Sequence, residues 1–299
     1  LKNFPTHLIS IADLSEKEIQ KILSESKSDV SKKQKRYSIK FAPTWGLLFL
    51  EPSTRTRASF ELAAQDLNCK TLHFETKGSS LEKGETLKDM VENLEAMGLY
   101  HFVLRQSDRG ALEVFRQKKN LRIINAGDGG GEHPTQALLD AATLHWKIGS
   151  LRGLRLLIQG DLTHSRVARS WSLLAPRLQI DLKLSSPESL KPRDWDGEFE
   201  WSANPKDFYS HVDVVMCLRV QKERFQESES LGKSQNQIET EFCLSPKFLK
   251  SNQFVMAPGP VNWGIELSSE FQGDRRSLIL DQVKMGRVVR KLLLQRLSL

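Results

Sequence analysis

Cysteine is scarce in this 299-residue chain: Cys69, Cys217 and Cys243 form an odd, widely scattered set. Neither a CxxC redox pair nor a disulfide framework can be built from them, so buried free thiols are expected. No apolar run approaches the roughly 18 residues needed to cross a bilayer, and strongly apolar stretches such as Val214 to Leu218 have strand length. The opening Leu1-Lys2-Asn3-Phe4-Pro5 lacks a basic-then-apolar leader pattern, which makes a cytoplasmic location with no membrane partner the expectation. The seven histidines are dispersed without metal-ligand spacing, and no metal is expected. Internal repeats, coiled-coil heptads and nucleic-acid motifs are also missing.

Apolar residues make up 39% of the chain, charged residues 27% and aromatic residues 8%, which is the usage of a folded globular protein and not of a disordered one. At about 150 residues per domain, this length gives roughly two domains. The balance of 44 Lys and Arg against 37 Asp and Glu leaves a net charge of +7. A basic solvated exterior is the default reading of such a charge. A nucleic-acid surface and an anionic substrate are the alternatives, and arginines placed inside structured turns favour the substrate.

Apolar, β-rich runs at Thr44 to Leu50, Thr71 to Phe74, Leu99 to Leu104, Leu121 to Asn125, Leu154 to Ile158, Leu182 to Leu184, Val212 to Leu218 and Phe254 to Met256 alternate with segments of helical period. That alternation predicts two α/β domains with parallel sheets covered on both faces. A helix is expected over Glu16 to Leu23, another from Ser53 as N-cap, and a third from Pro134 to Lys147, stopped at Gly149 and joining the domains. A basic amphipathic helix is expected over Val283 to Leu297, and a mobile loop over Gln221 to Thr240.

The first expected strand runs into Glu51-Pro52-Ser53-Thr54-Arg55-Thr56-Arg57, where a helix begins. Unpaired backbone N–H groups and the positive end of the helix dipole make such a place a phosphate cradle once hydroxyls and an arginine gather there. A plain serine cap with exposed arginines is the bland alternative, and four polar donors in succession weigh against it. Arg166 and Arg219 each follow a strand of the second half, where ligands of α/β sheets collect.

Ser53-Thr54-Arg55-Thr56-Arg57 resembles the carbamoyl-phosphate signature of the aspartate and ornithine carbamoyltransferases. His133-Pro134-Thr135-Gln136, Ser80-Leu81-Glu82-Lys83-Gly84-Glu85-Thr86, Gly160-Asp161-Leu162-Thr163-His164-Ser165-Arg166, Leu218-Arg219-Val220-Gln221 and Pro258-Gly259-Pro260 extend the likeness over essentially the whole chain. The resemblance implies the carbamoyltransferase fold. Residues 1–133 with the C-terminal helix 284–299 would then hold carbamoyl phosphate, and residues 134–283 would hold the amino acid.

The aspartate branch is implied, because the His-Cys-Leu-Pro and Ser-Met-Gly segments of the ornithine branch do not occur, and an arginine suits a side-chain carboxylate. The implied reaction is attack of the aspartate amine on carbamoyl phosphate, giving N-carbamoyl-aspartate and phosphate for pyrimidine synthesis, with no cofactor. The implied roles place Ser53, Thr54, Arg55, Thr56, Arg105, His133, Gln136 and the backbone near Pro258, Gly259 and Pro260 on carbamoyl phosphate. Arg55, Thr56, Arg105, His133 and Lys83 would act in catalysis, with Thr56, Arg105 and His133 as donors to the carbonyl oxygen. A helix start favours a neutral His133, with Gln136 its expected partner one turn on.

Lys83, Arg166, Arg219 and Gln221 would hold aspartate. Ser80 and Lys83 imply a homotrimer whose sites are shared between subunits, and a regulatory chain or a dihydroorotase stays open as a further partner. Three positions depart from the family pattern: Ala257 where relatives have His, Trp263 where they have Arg, and Trp171 where they often have Asn. Activity is expected to survive these changes. A catalytically weak partner subunit is the competing reading, and carbamoyl-aspartate formation by the isolated chain discards it.

Overall fold

The computed structural model describes residues 4–31, 42–75, 84–192, 195, 199–221 and 238–298. Two compact units divide the chain: one comprises the chain up to Ala142 together with Val283–Leu299, the other Thr143–Gln282. Among the described residues, ten strands form two five-stranded sheets, and every strand pairing is parallel.

The first sheet contains β1 (His7–Leu8), β2 (Thr44–Phe49), β3 (Lys70–Glu75), β4 (His101–Gln106) and β5 (Arg122–Asp128), in the order β1-β5-β4-β2-β3. Its helices are α1 (Glu16–Ser31), α2 (Thr54–Asp66) and α3 (Leu87–Ala96). Trp45, Leu48, Phe102, Val103, Leu104, Ile123 and Ile124 are fully buried. They come from alternating faces of their strands, so the sheet is covered on both sides, as the continuous apolar runs require.

The second sheet contains β6 (Arg155–Gln159), β7 (Asp181–Ser185), β8 (Glu200–Ser202), β9 (Val214–Cys217) and β10 (Phe254–Met256), in the order β10-β9-β6-β7-β8. Between its strands lie α5 (Arg166–Arg177) and the short α6 (Lys206–Tyr209). α4 (Pro134–Ile148) and α7 (Ile279–Leu297) carry the chain from one unit to the other.

Each sheet has one place where the order of strands reverses. After β2 the chain moves outward to β3, whereas β4 returns on the opposite side of β2; after β6 it moves outward to β7, whereas β9 returns on the opposite side of β6. Loops that leave such a pair of strands diverge and open a crevice at the carboxyl ends. Gly160, which follows β6, has φ +116°, and a Cβ there would run into the Leu218 carbonyl beyond β9, so only glycine lets these two loops pass so closely.

All eight strands expected from the sequence are present, with β1 and β8 added at sheet edges. The expected helices are present as α1, α2, α4 and α7, and α1 runs to Ser31, beyond the expected Leu23. α7 corrects the simple amphipathic picture, because Arg290, Lys291 and Arg296 are buried. Each finds a polar answer inside the first unit: Ser59, Asp29 and Glu25 respectively. Most of the loop expected over Gln221 to Thr240 lies outside the described residues.

Candidate active site

β2 delivers the chain directly to the N-terminus of α2. Ser53 occupies the cap position, yet its hydroxyl makes no capping hydrogen bond, and the first turn carries no acidic residue. The first turn therefore supplies no acidic side chain to the positive end of the helix, and hydroxyls and Arg55 stand around it. Thr54 and Arg55 are exposed, Ser53 is half-buried and Thr56 is buried. Arg105 lies beside this start, since it is in register with Phe49 and its carbonyl accepts from the Leu50 N–H at 2.8 Å. Its guanidinium is held 3.3 Å from Glu51 Oε2 and donates through Nη1 to the Ala126 carbonyl at 3.4 Å.

β5 leads to the third component. Asp128 closes the glycine-rich turn after it by accepting from the Glu132 and Gly110 N–H groups, and Glu132 accepts from the Ile11 N–H at 3.0 Å. The turn is thus fixed where it hands over to His133, the residue before α4. His133 is buried, its carbonyl accepts from the Gln136 N–H at 2.9 Å, and its Nδ1 stands 3.4 Å from Thr135 Oγ1. The Gln136 side chain donates through Nε2 to Asp140 Oδ1 at 2.9 Å. The reason is helical spacing: Asp140 follows Gln136 by four residues and so lies on the same face.

In the second unit, Arg166 is the first residue of α5 and is buried, with Ser165 capping the helix through a 3.2 Å bond from the Ala168 N–H. Arg219 stands two residues beyond β9 and donates through Nη1 to the Val220 carbonyl at 3.1 Å. Both arginines lie at the reversal point between β6 and β9, on loops joined by Asp161. That carboxylate is fully buried; Oδ1 accepts from the His164 N–H and lies 2.9 Å from His164 Nδ1, while Oδ2 accepts from the Gln221 N–H at 2.9 Å.

Pro258, Gly259 and Pro260 follow β10 at the same carboxyl edge, with a cis bond between Gly259 and Pro260. Glu266 Oε1 accepts from the Asn262 N–H at 2.6 Å and braces this turn. Burial pushes the Glu266 carboxyl up from its ordinary range, while the Asn262 bond and the charge of Arg219 oppose that shift. At the departures, Ala257 is buried with its N–H on Gln282 Oε1, and Trp263 is 37% exposed.

The structure thus gathers Ser53, Thr54, Arg55, Thr56, Arg105, His133 and Gln136 at the carboxyl edge of the first sheet. Arg166, Arg219, Gln221, Gly259 and Pro260 stand at the carboxyl edge of the second. Ser80 and Lys83 lie outside the described residues. Asp161 and Asp140, which hydrogen-bond to candidate residues, are neighbours that sequence reasoning missed. Asp161 sits inside the quoted Gly160-to-Arg166 segment but resembles any turn aspartate; Asp140 could have been found from its four-residue spacing to Gln136. No group of three or more His, Cys, Asp or Glu able to hold a metal occurs among the described residues. Also among the described residues, no helix is long and apolar enough to cross a membrane.

Comparison with known proteins fits these two groups of residues. Residues 6–146 match the family described as aspartate/ornithine carbamoyltransferase, carbamoyl-P binding domain, and residues 152–297 match its Asp/Orn binding domain. The chain belongs to the aspartate/ornithine carbamoyltransferase family.

Within it, the chain is 39% identical to the aspartate carbamoyltransferase catalytic subunit of Pelagibacter ubique, over 95% of this chain and 93% of that relative. Among solved structures it is similar to the catalytic subunit of M. jannaschii aspartate transcarbamoylase, with a TM-score of 0.81, 28% identity and coverage of 98% and 97% of the two chains. It is also similar to aspartate transcarbamoylase from Trypanosoma cruzi in complex with carbamoyl phosphate and aspartate, with a TM-score of 0.82, 26% identity and coverage of 97% and 96%.

Proposed function

We propose that this chain is an aspartate carbamoyltransferase, moving the carbamoyl group of carbamoyl phosphate to the amine of L-aspartate, with N-carbamoyl-L-aspartate and phosphate as products. The observation that carries this reading is the division of cationic groups between two strand-reversal points: a helix start with Arg55 and Arg105 on one sheet, and Arg166 and Arg219 on the other. The first set suits a phosphate, which takes charge-assisted hydrogen bonds from arginine, hydroxyls and backbone N–H groups. Two arginines suit the two carboxylates of aspartate, whereas the side-chain ammonium of ornithine would be repelled.

In the reaction the aspartate nitrogen forms a bond to the carbamoyl carbon and gives up a proton, and the bond from that carbon to the phosphate oxygen breaks. Negative charge grows on the carbonyl oxygen first and on the departing phosphate afterwards. Thr56, Arg105 and His133 answer the first, and Ser53, Thr54 and Arg55 the second. Gln136 and the backbone at Pro258, Gly259 and Pro260 hold the carbamoyl amide; Gln221 joins Arg166 and Arg219 on aspartate. In the domain assignment, residues 1–133 and the C-terminal helix 284–299 hold the phosphate and carbonyl of carbamoyl phosphate, and 134–283 hold aspartate while lending Gln136 and the backbone at Pro258, Gly259 and Pro260 to the carbamoyl amide. Lys83 completes the site from a neighbouring subunit of a homotrimer.

Purified chain is incubated with carbamoyl phosphate and either aspartate or ornithine, and the carbamoylated product is measured. Product from aspartate and none from ornithine supports the reading. Product from ornithine alone, or from neither, contradicts it.

A further inference from the structure

α7 places a guanidinium where a helix core offers it little. Arg290 is only 4% exposed, and its Nε and Nη2 have no hydrogen-bond partner among the described residues. Its one bond runs from Nη1 to Ser59 Oγ at 2.6 Å, with the guanidinium 5.2 Å from the centre of the Phe60 ring. Burial pulls its pKa down to about 10 against the attraction of Asp140, so it remains a cation near neutral pH. A buried charge with so few hydrogen bonds is a poor source of stability. The helix nevertheless makes room for it: a Cβ on Gly286, one turn earlier, would lie 2.9 Å from Nη1. Glycine inside a helix costs about 1 kcal/mol relative to alanine, so alanine at position 286 would gain helix propensity while displacing the flexible end of Arg290.

The group that Arg290 reaches leads to the carbamoyl phosphate residues. Ser59, which accepts from Arg290, donates to the Thr56 carbonyl at 2.9 Å in the first turn of α2. We propose that Arg290 is a positioning residue for carbamoyl phosphate, fixing the start of α2 through Ser59. This rests on the assignment of Thr56 to that substrate.

Steady-state constants are measured for wild type, Arg290→Met, Arg290→Lys, Ser59→Ala and Gly286→Ala, with Arg55→Ala in parallel. Thermal unfolding is followed for each. Arg290→Met is expected to raise the carbamoyl phosphate KM about tenfold, the scale of one lost charge-assisted hydrogen bond, while the aspartate KM at saturating carbamoyl phosphate stays within about twofold. Arg290→Lys should recover part of the loss.

Gly286→Ala gives the sharpest separation, because better helix propensity should hold or raise the melting temperature while the displaced guanidinium raises the carbamoyl phosphate KM. Altered melting temperatures with unchanged carbamoyl phosphate constants would overturn the proposal. If Arg290→Met does not fold, Ser59→Ala and Gly286→Ala decide, and wild-type constants in both overturn it. Should Arg55→Ala also retain wild-type constants, the assignment of the phosphate site falls as well; a crippled Arg55→Ala beside a normal Arg290→Met removes only the role of Arg290.

Discussion

His101, at the start of β4, meets the Trp45 ring edge-on with centroids 5.1 Å apart. Burial and the nearby charge of Arg122 hold its imidazole down at about 4, against a weaker opposing bond to the Leu297 backbone. In the unfolded chain it titrates near 6.5, so between these values the unfolded state binds more protons. This contribution to stability is therefore full above pH 6.5 and lost as pH falls toward 4. His101→Gln should flatten that part of the stability curve, which urea midpoints at pH 7 and pH 5 will show; an unchanged pH dependence would contradict the assignment. His133 differs because its expected work is chemical. His133→Ala should lower kcat by about 10²-fold, the scale of one lost oxyanion donor, with smaller changes in either KM. A rise confined to the aspartate KM would make His133 an aspartate ligand.

The two loops after β6 and β9 depend on each other through Asp161, which binds the His164 segment with one oxygen and the Gln221 N–H with the other. Asp161→Asn keeps a single acceptor oxygen and must give up one anchor. The aspartate KM should rise about tenfold, as for a lost hydrogen bond to a charged group, while the carbamoyl phosphate KM stays near wild type. Equal rises in both constants would show a general loss of structure. This element also shows what a sequence can and cannot disclose. Val214 to Cys217 announces a buried strand by its unbroken apolar run, and Ser53 and Pro134 announce helix starts by local chemistry. β1 and β8, with two and three residues, are too short to carry a period. α3 was legible and was missed: Leu87, Met90, Val91 and Leu94 have helical spacing, and Thr86 caps it through the Asp89 N–H. The bond from Asp161 to Gln221 spans 60 residues, and Arg290 to Ser59 spans 231; such pairs exist only once the chain has folded.

At the scale of the whole molecule, the proposed function divides its work between two sheets and shares each site between subunits. Closed threefold symmetry would give every subunit the same neighbour, so a loop carrying Lys83 could complete each site. Inactive Arg55→Ala and Lys83→Ala chains, dissociated and reassembled together, should recover activity in hybrids whose subunit exchange is confirmed by mass spectrometry. Confirmed hybrids as inactive as their parents would remove the shared site. The division of labour itself is tested most directly by calorimetric titration of wild type, Arg55→Ala and Arg219→Ala. Each protein is titrated with carbamoyl phosphate, and then, at saturating carbamoyl phosphate, with a dicarboxylate that resembles aspartate but lacks its amine. Arg55→Ala should lose carbamoyl phosphate affinity, whereas Arg219→Ala should keep it and lose affinity for the dicarboxylate, by the roughly 2–5 kcal/mol typical of a truncated buried charge pair. Loss of carbamoyl phosphate binding in Arg219→Ala, with Arg55→Ala binding it normally, would show that the two substrates had been assigned to the wrong sheets.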